Sequence, residues 1–144
     1  MSHRLATPLL ASSLLAGVPL AAAWPVAAQA EGPDTPAPGL RALSVAVPAA
    51  LGPPKEVSVL ADLPTVKIVA ITLRGGTTLP EHKAAVPVTI EVAHGAATLH
   101  VAGSTAPLRA GSFVVLDANT VHAVVPVNAD PVTVLVHHHK GGGQ

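Results

Sequence analysis

The sequence of 144 residues contains no cysteine and no tyrosine, and only one tryptophan and one phenylalanine. Without cysteine the chain can form no disulfide, no thiolate metal site and no thiol nucleophile, and no lipid can be attached through a cysteine. An excess of one charge is also lacking, because eight basic residues balance eight acidic ones. We therefore expect no nucleic-acid partner, since such partners require a basic face.

The first 30 residues differ in composition from the rest. Arg4 and the amino terminus form a weakly positive region, residues 5–24 are uncharged and rich in alanine and leucine, and Ala28-Gln29-Ala30 is a small-x-small cleavage site. This order predicts a signal peptide over residues 1–30 and a periplasmic or secreted mature protein. An uncleaved membrane anchor is the alternative, since the apolar stretch is about long enough to span a bilayer. Three prolines and the cleavage site favour cleavage, which leaves no stable membrane anchor.

The segment after the predicted leader has Phe113 as its single aromatic residue, so its core must come from valine, leucine, isoleucine and alanine. Such a core is marginal in size and oligomerisation would stabilise it, so we expect a homodimer. Residues 31–54 are predicted to form a flexible linker and N-terminal arm. Within it, the apolar stretch 40–51 is either an edge strand or a packing arm. Such an arm would also suit strand exchange between subunits.

From residue 55 onward, short β-rich runs alternate with turn residues. The runs cover residues 56–60, 65–74, 86–93, 96–102, 107–109, 112–116, 122–127 and 131–137. The second run is too rich in β-branched residues to favour a helix, and Gly103-Ser104 has the composition of a two-residue hairpin turn. Closely spaced strands of this kind predict one all-β domain, an antiparallel barrel over residues 55–137, with a C-terminal tail at 138–144.

A first motif lies between the second and third runs and continues into the fourth. Its pattern is Gly-x5-His-x-His-x3-Glu-x6-Gly, in which Gly76, His82 and Gly95 occupy their fixed positions. Ala84 stands where the pattern has its second histidine, and Val88 stands where it has glutamate. Of the two histidines and one glutamate in the pattern, this chain therefore retains one histidine.

A second motif follows after 15 intervening residues, with the pattern Gly-x5-Pro-x-Gly-x2-His-x3-Asn. Gly111 and His122 match it, while Asp117, Asn119 and Pro126 stand at the proline, glycine and asparagine positions. The change from glycine to asparagine is mild, because asparagine tolerates the left-handed backbone conformation better than most residues.

The two motifs resemble those of the cupin superfamily, and the likeness covers residues 57–136. The resemblance implies a small single-domain cupin with a jelly-roll-like β-barrel. In metal-binding cupins three histidines and one glutamate hold a divalent transition ion, and here only His82 and His122 stand at such positions. We therefore expect at most a weakly held divalent metal at these two residues. They are expected to face one cavity, either as metal ligands or as polar groups in a small apolar pocket that takes a small-molecule ligand.

The remaining polar residues offer poor additional ligands. The period of two along a strand places Val88, Ile90 and Val92 inside the barrel and Glu91 outside, while Glu81 is expected to point away from the cavity. His94 and His100 are interpreted as ordinary surface or half-buried histidines. His137 and His139 share a strand face and could chelate loosely, but the run 137–139 is better interpreted as a solvated strand end.

Three functions remain compatible with these residues. The first is a non-catalytic or weakly ligand-binding exported cupin, supported by the loss of two metal ligands. The second is a metal-dependent enzyme of the oxygenase or isomerase type that uses His82 and His122. The third is a dimeric structural or interaction module. The fold supports many unrelated activities, so the function has to be inferred from the residues of the site. No nucleophile motif, phosphate-binding loop or inward pair of carboxylates is present.

Overall fold

The structure is a computed structural model that describes residues 39–141, in which nine β-strands and no helix are found. The strands are β1 (Lys55–Asp62), β2 (Val66–Leu73), β3 (Leu79–His82), β4 (Val88–His94), β5 (Ala96–Val101), β6 (Ser104–Arg109), β7 (Phe113–Leu116), β8 (His122–Pro126) and β9 (Val132–His139). The predicted signal peptide, its cleavage site and residues 31–38 of the linker lie outside the described range. Within that range no helix is long and apolar enough to cross a membrane.

The strands form two antiparallel sheets, which confirms the predicted all-β class. One sheet has the order β1-β2-β9-β4-β7 and the other has the order β3-β8-β5-β6. Strands far apart in sequence lie side by side, as β2 does with β9 and β3 with β8. The two sheets can therefore bring residues of both motifs together.

The core is aliphatic throughout, as the composition predicts. Its largest fully buried side chains include Leu73, Ile90, Leu99, Val124, Val132 and Val134. Val88, Ile90 and Val92 all face inward, as the period of two along β4 predicts, whereas Phe113 is 67% exposed. The described part of the chain is thus held by packed branched side chains without an aromatic ring in its core.

Three details of the predicted strands were wrong. The short strand β3 was not predicted, because Pro80 and the charged Glu81 conceal its strand character in the sequence; its pairing with β8 defines it. β9 continues to His139, two residues past the predicted end, because its last residues pair with β2. The two-residue hairpin turn is Ala102-Gly103, since Val101 pairs with Ser104, and both turn residues have positive φ.

The backbone conformation at two turn positions explains which residues the first and second motifs can have there. Gly95 has φ +79°, and a Cβ there would lie 2.6 Å from the carbonyl oxygen of Pro131, so no larger residue fits. Asn119 has φ 64°, the left-handed conformation that the sequence predicts for this position. Asparagine thus takes over the conformational role that the motif gives to glycine.

The apolar stretch 40–51 forms no strand and packs on the outer face of the five-stranded sheet, so of the two alternatives the structure has the packing arm. Arg74 holds the end of this arm. Its guanidinium donates to the carbonyl oxygens of Ala49 and Pro53 and forms an ion pair with Glu56 at 2.9 Å. The arm is therefore fixed to its own domain by one buried arginine.

Candidate functional site

A half-open cavity of about 550 Å³ lies between the two sheets. Val57, Val69, Ile71 and Val136 line it from the five-stranded sheet, and Leu79, His82 and His122 line it from the other. Its walls are mostly apolar. We call it the histidine cavity, and its volume lies within the range of small-molecule sites in proteins.

His82 and His122 meet in this cavity although 40 positions separate them in sequence. They are direct partners across the β3–β8 pair, so their side chains emerge on the same face of the sheet. Their ring centroids are 4.3 Å apart, with 57° between the ring planes. The prediction that the two imidazoles approach each other in one cavity is confirmed by this distance.

Both imidazoles are held by the same kind of local hydrogen bond. Nδ1 of His82 lies 2.8 Å from the carbonyl oxygen of Pro80, and Nδ1 of His122 lies 2.9 Å from that of Thr120. A carbonyl oxygen can only accept, so each Nδ1 carries the proton and each neutral ring keeps its lone pair on Nε2. The site therefore presents two oriented Nε2 acceptors to whatever enters the cavity.

The surroundings keep His122 neutral. Burial lowers its pKa below the ordinary value, the carbonyl of Thr120 opposes that effect, and the neighbouring His82 lowers the pKa further. His122 is only 3% exposed, so the charged form would lose most of its hydration. At neutral pH this imidazole acts as a hydrogen-bond acceptor through Nε2.

A third histidine of the cavity, His138, was missed by the sequence interpretation, which placed it in the solvated tail. It pairs with Lys67 on one side and with Val88 on the other, and it lines the cavity. Burial lowers its pKa, and the charges of Lys67, His139 and His82 lower it further. The signal was present in the sequence: His138 continues the inward parity of Val134 and Val136 along β9.

The other acidic and histidine residues lie away from the cavity, as expected. Glu91 is on the outer face of β4, where its carboxylate is 3.9 Å from Nε2 of His137. Glu81 is exposed and lies beside His100, on a different surface of the domain. His94 is half-buried and His100 is exposed, which agrees with their interpretation as ordinary histidines.

All four positions at which the motifs place metal ligands converge on the histidine cavity. Ala84 and Val88 line it together with His82 and His122, but they present methyl groups instead of donor atoms. Among residues 39–141 no group of three or more histidine, aspartate or glutamate side chains has the arrangement of a metal site. The residues present thus supply two of the four ligands of a metal-binding cupin and do not fit a complete site.

Solved structures identify the fold. The chain is similar to an RmlC-like cupin family protein with a double-stranded β-helix fold from Methanocaldococcus jannaschii, with a TM-score of 0.59, 21% identity, and 69% and 90% of the two chains covered. It is also similar to a cupin superfamily protein from Desulfitobacterium hafniense, with a TM-score of 0.56, 16% identity, and 69% and 96% covered. KdgF from a Halomonas species matches with a TM-score of 0.54 and 20% identity, over 62% and 82% of the two chains.

No family model and no curated protein sequence matches the chain. The structural likeness nevertheless confirms the fold that the two motifs lead us to expect, a small cupin-type double-stranded β-helix. Its function has to be argued from the histidine cavity, because the fold carries many chemistries.

Proposed function

We propose that this protein is a non-catalytic, small-molecule-binding cupin, and that the ligand occupies the histidine cavity. The observation that carries the proposal is the combination of mostly apolar walls with two fixed imidazole acceptors at ring centroids 4.3 Å apart. Binding sites for small molecules typically have this form, with a large apolar surface and a few placed polar groups. Ala84 and Val88 enlarge the apolar part where metal ligands would otherwise stand.

The composition of the site defines what the ligand needs. Its body must be apolar, since burial of apolar surface supplies most of the binding free energy. A hydroxyl or N–H group on the ligand adds affinity, because the Nε2 atoms of His82 and His122 accept hydrogen bonds. A ligand that displaces water from these Nε2 atoms without offering a donor leaves them without a partner, which costs affinity.

We also propose that the protein acts after export, as a periplasmic or secreted protein, and as a homodimer. Export is supported by the leader-like composition of residues 1–30 and the Ala28-Gln29-Ala30 site.

Dimer formation is supported by the exposed Val57 and Val59 of the edge strand β1. Strand exchange through the arm is less favourable than the sequence suggests, since the arm would have to leave Arg74. Light scattering of the purified protein should give twice the chain mass, and a single-chain mass would contradict the dimer.

Ligand binding is tested with N-phenyl-1-naphthylamine, a neutral dye that fluoresces in apolar sites. The protein should give a saturable fluorescence increase, and Ala85→Trp, which places a bulky ring at an exposed position of the cavity wall, should weaken binding about tenfold or more. Ala110→Trp is the matched control, because Ala110 is exposed in a turn away from the cavity. Binding that is absent, or that is equal in all three proteins, would contradict the proposal.

A metal-dependent cupin enzyme is the second candidate, and the geometry of one pair of residues favours it. His82 and His122 both donate through Nδ1 to a carbonyl, the arrangement that orients ligating histidines in metalloproteins. If this candidate is correct, Zn²⁺ titration calorimetry should show one weak site that His82→Ala and His122→Ala remove. His139→Ala serves as the control for the outer histidines. Equal heats from all variants, or no heat in any, would contradict metal binding at the pair.

A further inference from the structure

All four lysines of the chain line the histidine cavity. Lys55 begins β1, Lys67 lies in β2, Lys83 follows β3 and Lys140 follows β9, so they reach it from four separate segments. Of the arginines in residues 39–141, none lines it. Lysines scattered over the surface for solubility would not all converge on one opening.

The acidic residues are distributed in the opposite way. Of the carboxylates in residues 39–141, none lines the cavity. Glu56 is paired with Arg74 on the outer face, and Asp130 is bonded to Asn128 in a turn. Asp62 approaches one lysine, Lys140, and forms an ion pair with it at the cavity edge. Within residues 39–141, Lys140 is therefore the only cavity lysine that forms an ion pair, although Asp62 is also the cross-strand neighbour of Lys67.

The other three lysines have no carboxylate partner within the described part of the chain. Lys67 lies between His138 on β9 and Asp62 on β1, and the carboxylate of Asp62 forms its ion pair with Lys140. An opening lined by charges of one sign attracts ligands of the opposite sign. Because the walls of the cavity next to these lysines are apolar, the ligand must also have an apolar body.

From this placement we infer that the ligand of the histidine cavity is a small amphipathic organic anion, with a carboxylate or similar head group at the lysines and an apolar body between the sheets. The inference rests on the proposed function and adds the chemical class of the ligand. It also explains why the lysines lie at the rim, where a charged head group retains part of its hydration. A neutral apolar ligand would gain nothing from them.

The magnitude of the effect is measurable. At a separation of about 4 Å, one lysine raises the affinity for an anion about fivefold even in water-like surroundings, and more where water is partly excluded. The effect of exposed charges also declines as salt screens them. An anion and a neutral molecule with the same apolar skeleton should therefore differ in affinity, in salt dependence and in their response to loss of the lysines.

Two dyes provide such a pair, because 8-anilinonaphthalene-1-sulfonate is N-phenyl-1-naphthylamine with a sulfonate added. In the full chain the sulfonate dye should bind about tenfold more tightly or better than the neutral dye, and only its affinity should fall between about 20 mM and about 500 mM NaCl. The double variant Lys67→Gln and Lys83→Gln should weaken the sulfonate dye about tenfold or more and change the neutral dye less than about twofold. The matching pair of Lys→Arg substitutions should retain anion binding, and Arg109→Gln, remote from the cavity, should change nothing.

A carboxylate competitor extends the test from sulfonate to carboxylate head groups. Octanoate should displace the neutral dye about tenfold more effectively than octanol, and the Lys→Gln pair should remove that difference. If both dyes bind equally and the lysine variants have no effect, the inference that the ligand is an anion is wrong. The proposed function still holds in that case if Ala85→Trp weakens binding of the neutral dye. If the neutral dye shows no binding that depends on Ala85, the proposed function itself fails.

Discussion

The two faces of the five-stranded sheet differ in how far their cationic side chains are paired within the chain. On the outer face Arg74 is only 10% exposed at its side chain and is bonded to two carbonyls and to Glu56. Four lysines surround the histidine cavity, which the inner face of this sheet helps to line, and one of them, Lys83, comes from the segment after β3 of the other sheet. Among residues 39–141 only Lys140 forms an ion pair there. A cation that is satisfied within the chain stabilises the fold, whereas cations left without partners around an apolar opening are available to a ligand. Substitutions on the two faces should therefore have different consequences.

Arg74→Met should have the largest effect on stability. It removes three hydrogen bonds of a charged group and leaves the carbonyls of Ala49 and Pro53 without their donor, so we expect a loss of about 2–4 kcal/mol. Urea denaturation measures the loss, and limited proteolysis should show faster cleavage in residues 40–54. The exposed Arg41→Met is the control, with a change within about 0.5 kcal/mol. Equal stability of both variants would show that Arg74 does not anchor the arm.

Acidification should reduce stability through the buried imidazoles of the inner face. His122 and His138 titrate near 6.5 when unfolded, and burial lowers both pKa values in the folded protein. Between the folded and unfolded values the unfolded chain binds more protons, so stability declines as the pH falls below about 6.5 and levels off below the folded values. Urea midpoints between pH 7.5 and pH 5 measure this decline.

The double variant His122→Asn and His138→Asn should flatten that pH dependence, while the exposed His100→Asn should leave it unchanged. A decline of the same size in all three proteins would mean that other groups cause it. A rise in stability on acidification would contradict the pKa directions themselves.

Loss of a cavity lysine should have the smallest effect on stability. Lys67 forms no ion pair in the described residues, although Asp62 is its cross-strand neighbour, so Lys67→Gln should change the free energy of unfolding by no more than about 0.5 kcal/mol in either direction. Urea denaturation at low salt is the measurement, because low salt accentuates charge effects. A loss above about 1 kcal/mol would show that this lysine supports the fold, and the contrast between the two faces would not hold.

The fold and half of the site follow from local patterns in the sequence. Alternation along β4 places Val88, Ile90 and Val92 inside, and the spacing of the two motifs indicates that His82 and His122 share a cavity. Both are properties of single segments, in which strand parity and turn residues fix the side-chain direction. The left-handed Asn119 is a further case, since one residue's backbone preference is sufficient to predict it.

The rest of the site depends on which strands become neighbours. The lysines lie in segments up to 85 positions apart, and only the order β1-β2-β9-β4 brings them to one opening. His138 was missed for a different reason: the parity was readable, but three consecutive histidines followed by glycines have the composition of a tail. The pairing of β2 with β9 continues to His139 and converts that apparent tail into a cavity wall.

The central claim is that a ligand enters the cavity that His82, His122 and His138 share. Long-range ¹H–¹⁵N spectra of the imidazole rings test it most directly, with octanoate as the ligand. The resonances of these three rings should shift and saturate together, Nε2 of His122 should be the unprotonated nitrogen at neutral pH, and the resonances of His94 and His100 should not move. Shifts confined to the latter two rings, or no saturable shift in any ring, would contradict it.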